Sequence, residues 1–363
     1  MDPQKAALEA LEVVTTDRIK LTEAALSAPA RGDALRTAGS IVGKWLDASH
    51  STLLSAAMPA LIYLASPSPG LHGESGFPGD PEPLLAAYRL FPDIVYAGIR
   101  EALRAPYKRS RIEACNATSA LIEIAPNFAL KVAEDLIGSL GLPDDHYDEG
   151  SAEGAVARTL AEAMKFRPAE IDAIVQRALV TASDAERVTL IRVYTRLLYP
   201  QWRTSQASVT PGHELAISRI IEVLTQRPAD GRFEEAAFFV RDRAKYYPML
   251  LAKHAETLLG AAALIASDLD HPYSPLLDPR PSTVKTLEAQ TRQMHLDTAL
   301  QAAAQAVGWT AQRQPRSVGR QVVQTLEHLG EGYDRLKAAL VRCLGIMGKN
   351  REGRWHSQRS MQR

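Results

Sequence analysis

Apolar residues recur at intervals of three and four through nearly every segment of the chain, and clean alternation at two is scarce. That spacing places one apolar stripe on a helix and does not suit a half-buried strand. Alanine and leucine are plentiful while β-branched and aromatic clusters are few, which favours helix again. The pattern predicts an all-α protein. Its expected helices run over about 3–27, 31–48, 51–65, 82–91, 93–104, 110–124, 128–139, 151–166, 169–181, 184–198, 212–226, 232–246, 249–267, 282–308, 316–329 and 332–347.

One layout repeats. An amphipathic segment ends in an aromatic or apolar residue within two positions of a proline, and a second amphipathic segment follows. The copies are AAYRLFP (Pro92), SALIEIAP (Pro126), EAMKFRP (Pro168), TRLLYP (Pro200) and RAKYYP (Pro248), so that successive prolines lie 34, 42, 32 and 48 residues apart. Proline disfavours helix in the residue before it and suits the first turn of the next helix, where the missing N–H would have no partner anyway. One residue thus stops a helix and starts its partner, and the residue before it is expected to pack under the turn.

A two-helix unit recurring every 35 to 45 residues buries its apolar face by stacking on neighbours. From Glu82 to Asp268 the chain resembles HEAT-like helical repeats in helix length, period and proline placement. The resemblance implies an α-solenoid of antiparallel helical hairpins, a fold whose members act as scaffolds or as concave surfaces for proteins or nucleic acid. The family's customary Asp and Arg in the turn and second helix do not recur in register, which leaves a generic hairpin array or an irregular bundle as the other reading.

The punctuation divides the chain into an N-terminal helical cap over 1–66, a Pro/Gly/Ser-rich surface loop over 67–81, the repeat array over 82–270, a C-terminal helical bundle over 271–349 and a flexible basic tail over 350–363. Lys plus Arg and Asp plus Glu both number 42, so overall charge argues for no polyanionic or membrane partner. Its distribution does more. From Arg335 to Arg363 there are eight basic residues and one acid, an excess of seven that the rest of the chain balances.

Cys115 and Cys343 are the only cysteines and sit in apolar, helix-like runs, as reduced structural thiols do. The opening MDPQKAALEALEVV has no basic stretch followed by an apolar one, and the most lipid-like run, Leu53 to Ala65, is short and holds Pro59. A cytoplasmic protein without membrane contact is the expectation.

Catalytic motifs fail on spacing. GSIVGKW (39–45) and GIMGK (345–349) lack the glycine spacing and the Ser/Thr of a phosphate loop. HGESG (72–76) is no nucleophile elbow, and GHELAI and HAETLLG lack the second histidine of a zinc helix. Asp144, Asp145, His146, Asp148 and Glu149 read as a solvated loop before a helix capped by Ser151, and Asp268, Asp270 and His271 as a helix end. No catalytic residue, metal site or cofactor is therefore assigned.

Basic residues with aromatic neighbours offer the candidate contacts. They are Arg104, Lys108, Arg109 and Arg111 around Tyr107, then Arg196 and Arg203 with Trp202, then Arg241, Arg243 and Lys245, and in the tail Arg351, Arg354 and Trp355. In a solenoid, equivalent positions line one edge, where such groups meet a protein or follow a phosphate backbone. The bland counterpart is that they pair on ordinary solvated faces, as Arg100 would with Glu101. The leading expectation is a non-enzymatic interaction or scaffold protein with a protein partner, and a further reading makes it a subunit of a larger bacterial assembly such as a defence complex. The alternative is a nucleic-acid-binding array resembling the HEAT-like DNA glycosylases. Trp45 and Trp309 are expected in the core, and the oligomeric state is open.

Overall fold

The computed structural model describes residues 51–66, 79–142, 151–198, 210–226, 231–243, 248–270, 282–329 and 333–346. Among these residues every regular element is an α-helix. The helices expected over 3–27 and 31–48, the acidic loop at 143–150, the Pro200 junction and the basic tail lie outside the described residues. The chain divides into two compact units between Thr181 and Ala182.

The first unit contains α1 (Ser51–Ala65), α2 (Glu82–Leu90), α3 (Pro92–Leu103), α4 (Lys108–Ile124), α5 (Pro126–Gly138), α6 (Ala152–Phe166) and α7 (Pro168–Thr181). Pro92, Pro126 and Pro168 each open a helix, as the proline spacing predicts. At the first two junctions a single residue ends one helix and begins the next. Phe91 sits at φ −138°, ψ 63° and Ala125 at φ −128°, ψ 77°, and Arg167, which ends α6, adopts the same conformation at φ −135°, ψ 62°. Each sends its N–H back four residues, to the carbonyls of Ala87, Leu121 and Ala163. A residue before proline is held out of the helical region, so the first helix terminates there without a linker. Where a loop intervenes, α6 is capped by Ser151, whose hydroxyl accepts the Gly154 N–H at 2.8 Å.

Consecutive helices pack on one another, and alternate helices do so as well. α4 packs on α6, α3 on α5 and α5 on α7, while α1 covers α2, α3 and α4. The α1–α3 approach is close enough that a Cβ at Gly98 would lie 2.8 Å from Met58 Cβ. Leu61, Leu84, Ile99, Leu103, Leu121, Val132, Leu136 and Leu160 are fully buried and form the core between these faces.

The second unit contains α8 (Asp184–Leu197), α9 (Pro211–Thr225), α10 (Gly231–Arg243), α11 (Pro248–Ala252), α12 (Ala255–Asp270), α13 (Ser282–Arg313), α14 (Val318–His328) and α15 (334–346). α8 packs on α9 and α10, α10 on α13, and α9 on α12. Two expectations need correction. The helix expected over 249–267 is broken at Lys253 and His254, whose N–H groups reach the carbonyls of Leu250 and Leu251. The helix expected to end at Gly308 continues to Arg313. That glycine is not a terminator but a close contact, since a Cβ there would lie 3.2 Å from the Cys343 carbonyl on α15.

Eight cross-helix polar contacts fall in one register of 38 to 43 residues, whereas Arg104–Asp135 spans 31 and Asn116–Ser66 spans 50. Asp93–Lys131 spans 38 residues, Tyr96–Asp135 spans 39, Ser119–Thr159 and Asn127–Arg167 span 40, and Glu134–Arg177 spans 43. In the second unit Arg192–Glu235 spans 43, Glu214–Lys253 spans 39 and Gln301–Arg342 spans 41. Residues about one proline period apart in sequence thus touch in both units.

Candidate functional site

The helix–proline junctions of the first unit lie side by side. Tyr88, in the last turn of α2, meets Phe128, in the first turn of α5, edge to face with ring centroids 5.3 Å apart. Arg167, before α7, donates to Asn127 Oδ1 in the first turn of α5. Two positions before each proline stands a large apolar residue, and all three are open to solvent: Leu90 is 52% exposed, Ile124 53% and Phe166 43%. At Pro126 and Pro168 the apolar residue expected to pack under the turn, Ile124 and Phe166, does not do so; at Pro92 the preceding residue, Phe91, is half-buried. The reason is angular. Ile124 and Phe166 follow the last buried positions of their helices, Ile122 and Met164, by two residues, which is about 200° around the axis. They consequently point away from the face that the helix buries.

A second cluster joins α3 to α5. Tyr96 donates its hydroxyl to Asp135 Oδ2 at 2.7 Å, Arg104 donates to Asp135 Oδ1 at 3.0 Å, and Arg100 Nε lies 3.2 Å from the same oxygen. Lys131 stands 4.4 Å from the centre of the Tyr96 ring while its ammonium bonds Asp93 at 2.6 Å. The hydrogen bond to Asp135, then burial, pushes the Tyr96 phenol above its ordinary range. Arg100 therefore reaches across to α5, and its sequence neighbour Glu101 faces elsewhere, as adjacent positions on a helix must.

The basic candidates have different surroundings. Arg104 belongs to the Asp135 cluster. Arg109 pairs with Glu113 one turn on, at 3.0 Å, and lies 5.7 Å from the centre of the Tyr63 ring. Arg111 is fully buried and donates to the carbonyls of Ala105 and Pro106, closing the turn between α3 and α4. Lys108 opens α4, half-buried, and Arg196 is exposed in the last turn of α8. Arg241 and Arg243 stand in α10, with side chains outside the described set. Trp202, Arg203, Lys245, Arg351, Arg354 and Trp355 lie outside the described residues. Trp309, expected in the core, is half-buried in α13, and Trp45 lies outside the described residues.

Other ionisable groups serve packing. Burial pushes the thiols of Cys115 and Cys343 up to about 12, so both remain protonated and unreactive near neutral pH. Desolvation, reinforced by Lys253, lowers the His254 pKa, and the Lys253 hydrogen bond lowers that of Glu214. Among the described residues no group of three His, Cys, Asp or Glu side chains is placed to hold a metal ion, and no helix is long and apolar enough to cross a membrane.

Arg100 and the exposed row at 90, 124 and 166 were not singled out from sequence. Position relative to the prolines was the signal that could have found the row, because each member stands two residues before one. No family model, curated protein or solved structure matches the chain.

Proposed function

We propose that this chain is a non-enzymatic interaction or scaffold protein, built as an α-solenoid of helical hairpins, that binds another protein along the edge formed by its helix–proline junctions. The contact register of 38 to 44 residues supports the stacked-hairpin reading, because a partner one repeat away is what stacking supplies. The observation that carries the interaction reading is the row Leu90, Ile124 and Phe166. Each is a large apolar side chain left in water at the same place in consecutive hairpins, on turns already tied together by the Tyr88–Phe128 and Asn127–Arg167 contacts. Scattered exposed apolar residues need no explanation, whereas exposed apolar residues repeated at equivalent, linked turns fit a contact surface along one edge.

The test compares the full chain with the variant Leu90→Ser, Ile124→Ser, Phe166→Ser as baits in the native cell, with bound protein and nucleic acid both identified. These sites are exposed, so the variant should keep its helical content and melting temperature. A protein retained by the native chain and lost from the variant is the expected result. An equal set of bound molecules in both baits contradicts the edge as the contact surface. Retention of nucleic acid alone, falling steeply with salt, would instead favour the nucleic-acid-binding reading.

A further inference from the structure

We infer that Arg100 and Arg104 form a binding site for a single phosphate-type oxyanion, held ready by Asp135. The site lies on α3 and α5 and does not depend on the edge proposed above.

The two arginines stand one helical turn apart, so they emerge from the same face of α3. Both converge on a single atom, Asp135 Oδ1, with Arg104 at 3.0 Å and Arg100 Nε at 3.2 Å, while Tyr96 occupies Oδ2 at 2.7 Å. The anchor is deep and the cations are not: the Asp135 side chain is 10% exposed, those of Arg100 and Arg104 46% and 58%. A carboxylate beneath two half-exposed guanidiniums holds them together and aims their remaining N–H groups outward. Neither arginine has another partner among the described residues. Two cations sharing one anion leave one positive charge uncompensated at the surface, on donors whose geometry matches a tetrahedral oxyanion.

The surroundings narrow the ligand. Arg104 ends α3, and the carbonyl end of a helix opposes anions. The arginines must offset that end, and their several N–H donors suit the three oxygens of a phosphate group better than the two of a carboxylate. Glu101 and Glu134 adjoin Arg100 and Asp135 in sequence and lie on other faces of their helices, Glu134 bonded to Arg177. Two guanidiniums converge at Asp135, enough for one phosphate group, free or carried by a small molecule.

The full chain in phosphate-free buffer of low ionic strength would be titrated with inorganic phosphate, a simple phosphate monoester, acetate and a short single-stranded oligonucleotide. Calorimetry and the arginine Nε–H resonances report binding, and Arg104→Lys serves as the variant because it keeps the charge and the fold but loses the planar fork. Saturable one-to-one binding of phosphate with a Kd on the order of 1 mM, weakened about tenfold in Arg104→Lys and not reproduced by acetate, is expected. A monoester that binds more tightly than phosphate identifies a carried group as the source, and the reverse order identifies the free ion. A non-saturating response, equal in both proteins, would mean an adventitious ion only and overturn the proposal. An oligonucleotide that binds more tightly than either small anion, with the same dependence on Arg104, would overturn its restriction to a single group.

Discussion

Close approach of helices in the first unit depends on individual small residues. Gly98 faces Met58, and an added Cβ would fall 2.8 Å from both Met58 Cβ and Cγ. Met58 Cβ moves only with the α1 backbone, so a methyl at position 98 must push α1 from α3. Overpacking of this kind costs about 1–3 kcal/mol, and the gain in helix propensity of about 1 kcal/mol offsets part of it. Gly98→Ala is therefore expected to lower the urea midpoint. Gly260→Ala is the control. Gly260 is exposed inside α12 with nothing within 4 Å of the added atom, so that substitution should raise stability by up to about 1 kcal/mol. Equal effects of the two changes would contradict the α1–α3 contact. This distinction is invisible in sequence, where both residues are glycines within a helical pattern. The Asp135 cluster was equally hidden, because its members are brought together by the packing of α3 on α5, which joins positions 31 to 39 residues apart.

Helix boundaries were legible wherever backbone chemistry decides them. Pro92, Pro126 and Pro168 begin helices because the imino ring forbids the preceding residue from continuing one, and Ser183 begins α8 through a capping box with Glu186. Boundaries decided by packing were not legible. Lys253 and His254 break a periodic apolar run without glycine or proline, so that α11 and α12 can each pack on both α9 and α13. Gly308, a stop signal on paper, lies inside α13 because α15 needs the space. Pro126→Ala tests the junction. Removing the ring frees the unfolded chain and relaxes the constraint on Ala125, for an expected loss of roughly 0.5–1 kcal/mol with little change in helical content. A variant whose stability and helical content are both unchanged would show that proline is not what holds this turn.

At the scale of the whole molecule the recurring quantity is the contact register. Local helical periodicity says nothing about which helices touch. The proline spacing of 34 and 42 residues does so approximately, because a chain folded back at similar intervals brings roughly equivalent positions together. Eight polar pairs across both units lie 38 to 43 residues apart, while Arg104–Asp135 at 31 and Asn116–Ser66 at 50 depart from it, so the approximate period was readable in advance and the particular pairs were not. Zero-length coupling of amines to carboxylates by a carbodiimide, followed by peptide mass spectrometry on the dilute full chain, reads this register directly. Lys131 with Asp93, at 2.6 Å and 38 residues, and Lys253 with Glu214, at 2.5 Å and 39 residues, are the predicted long-range products. Their absence, with long-range coupling found instead at separations unrelated to the proline period, would contradict stacking of successive hairpins and the interaction surface built on it.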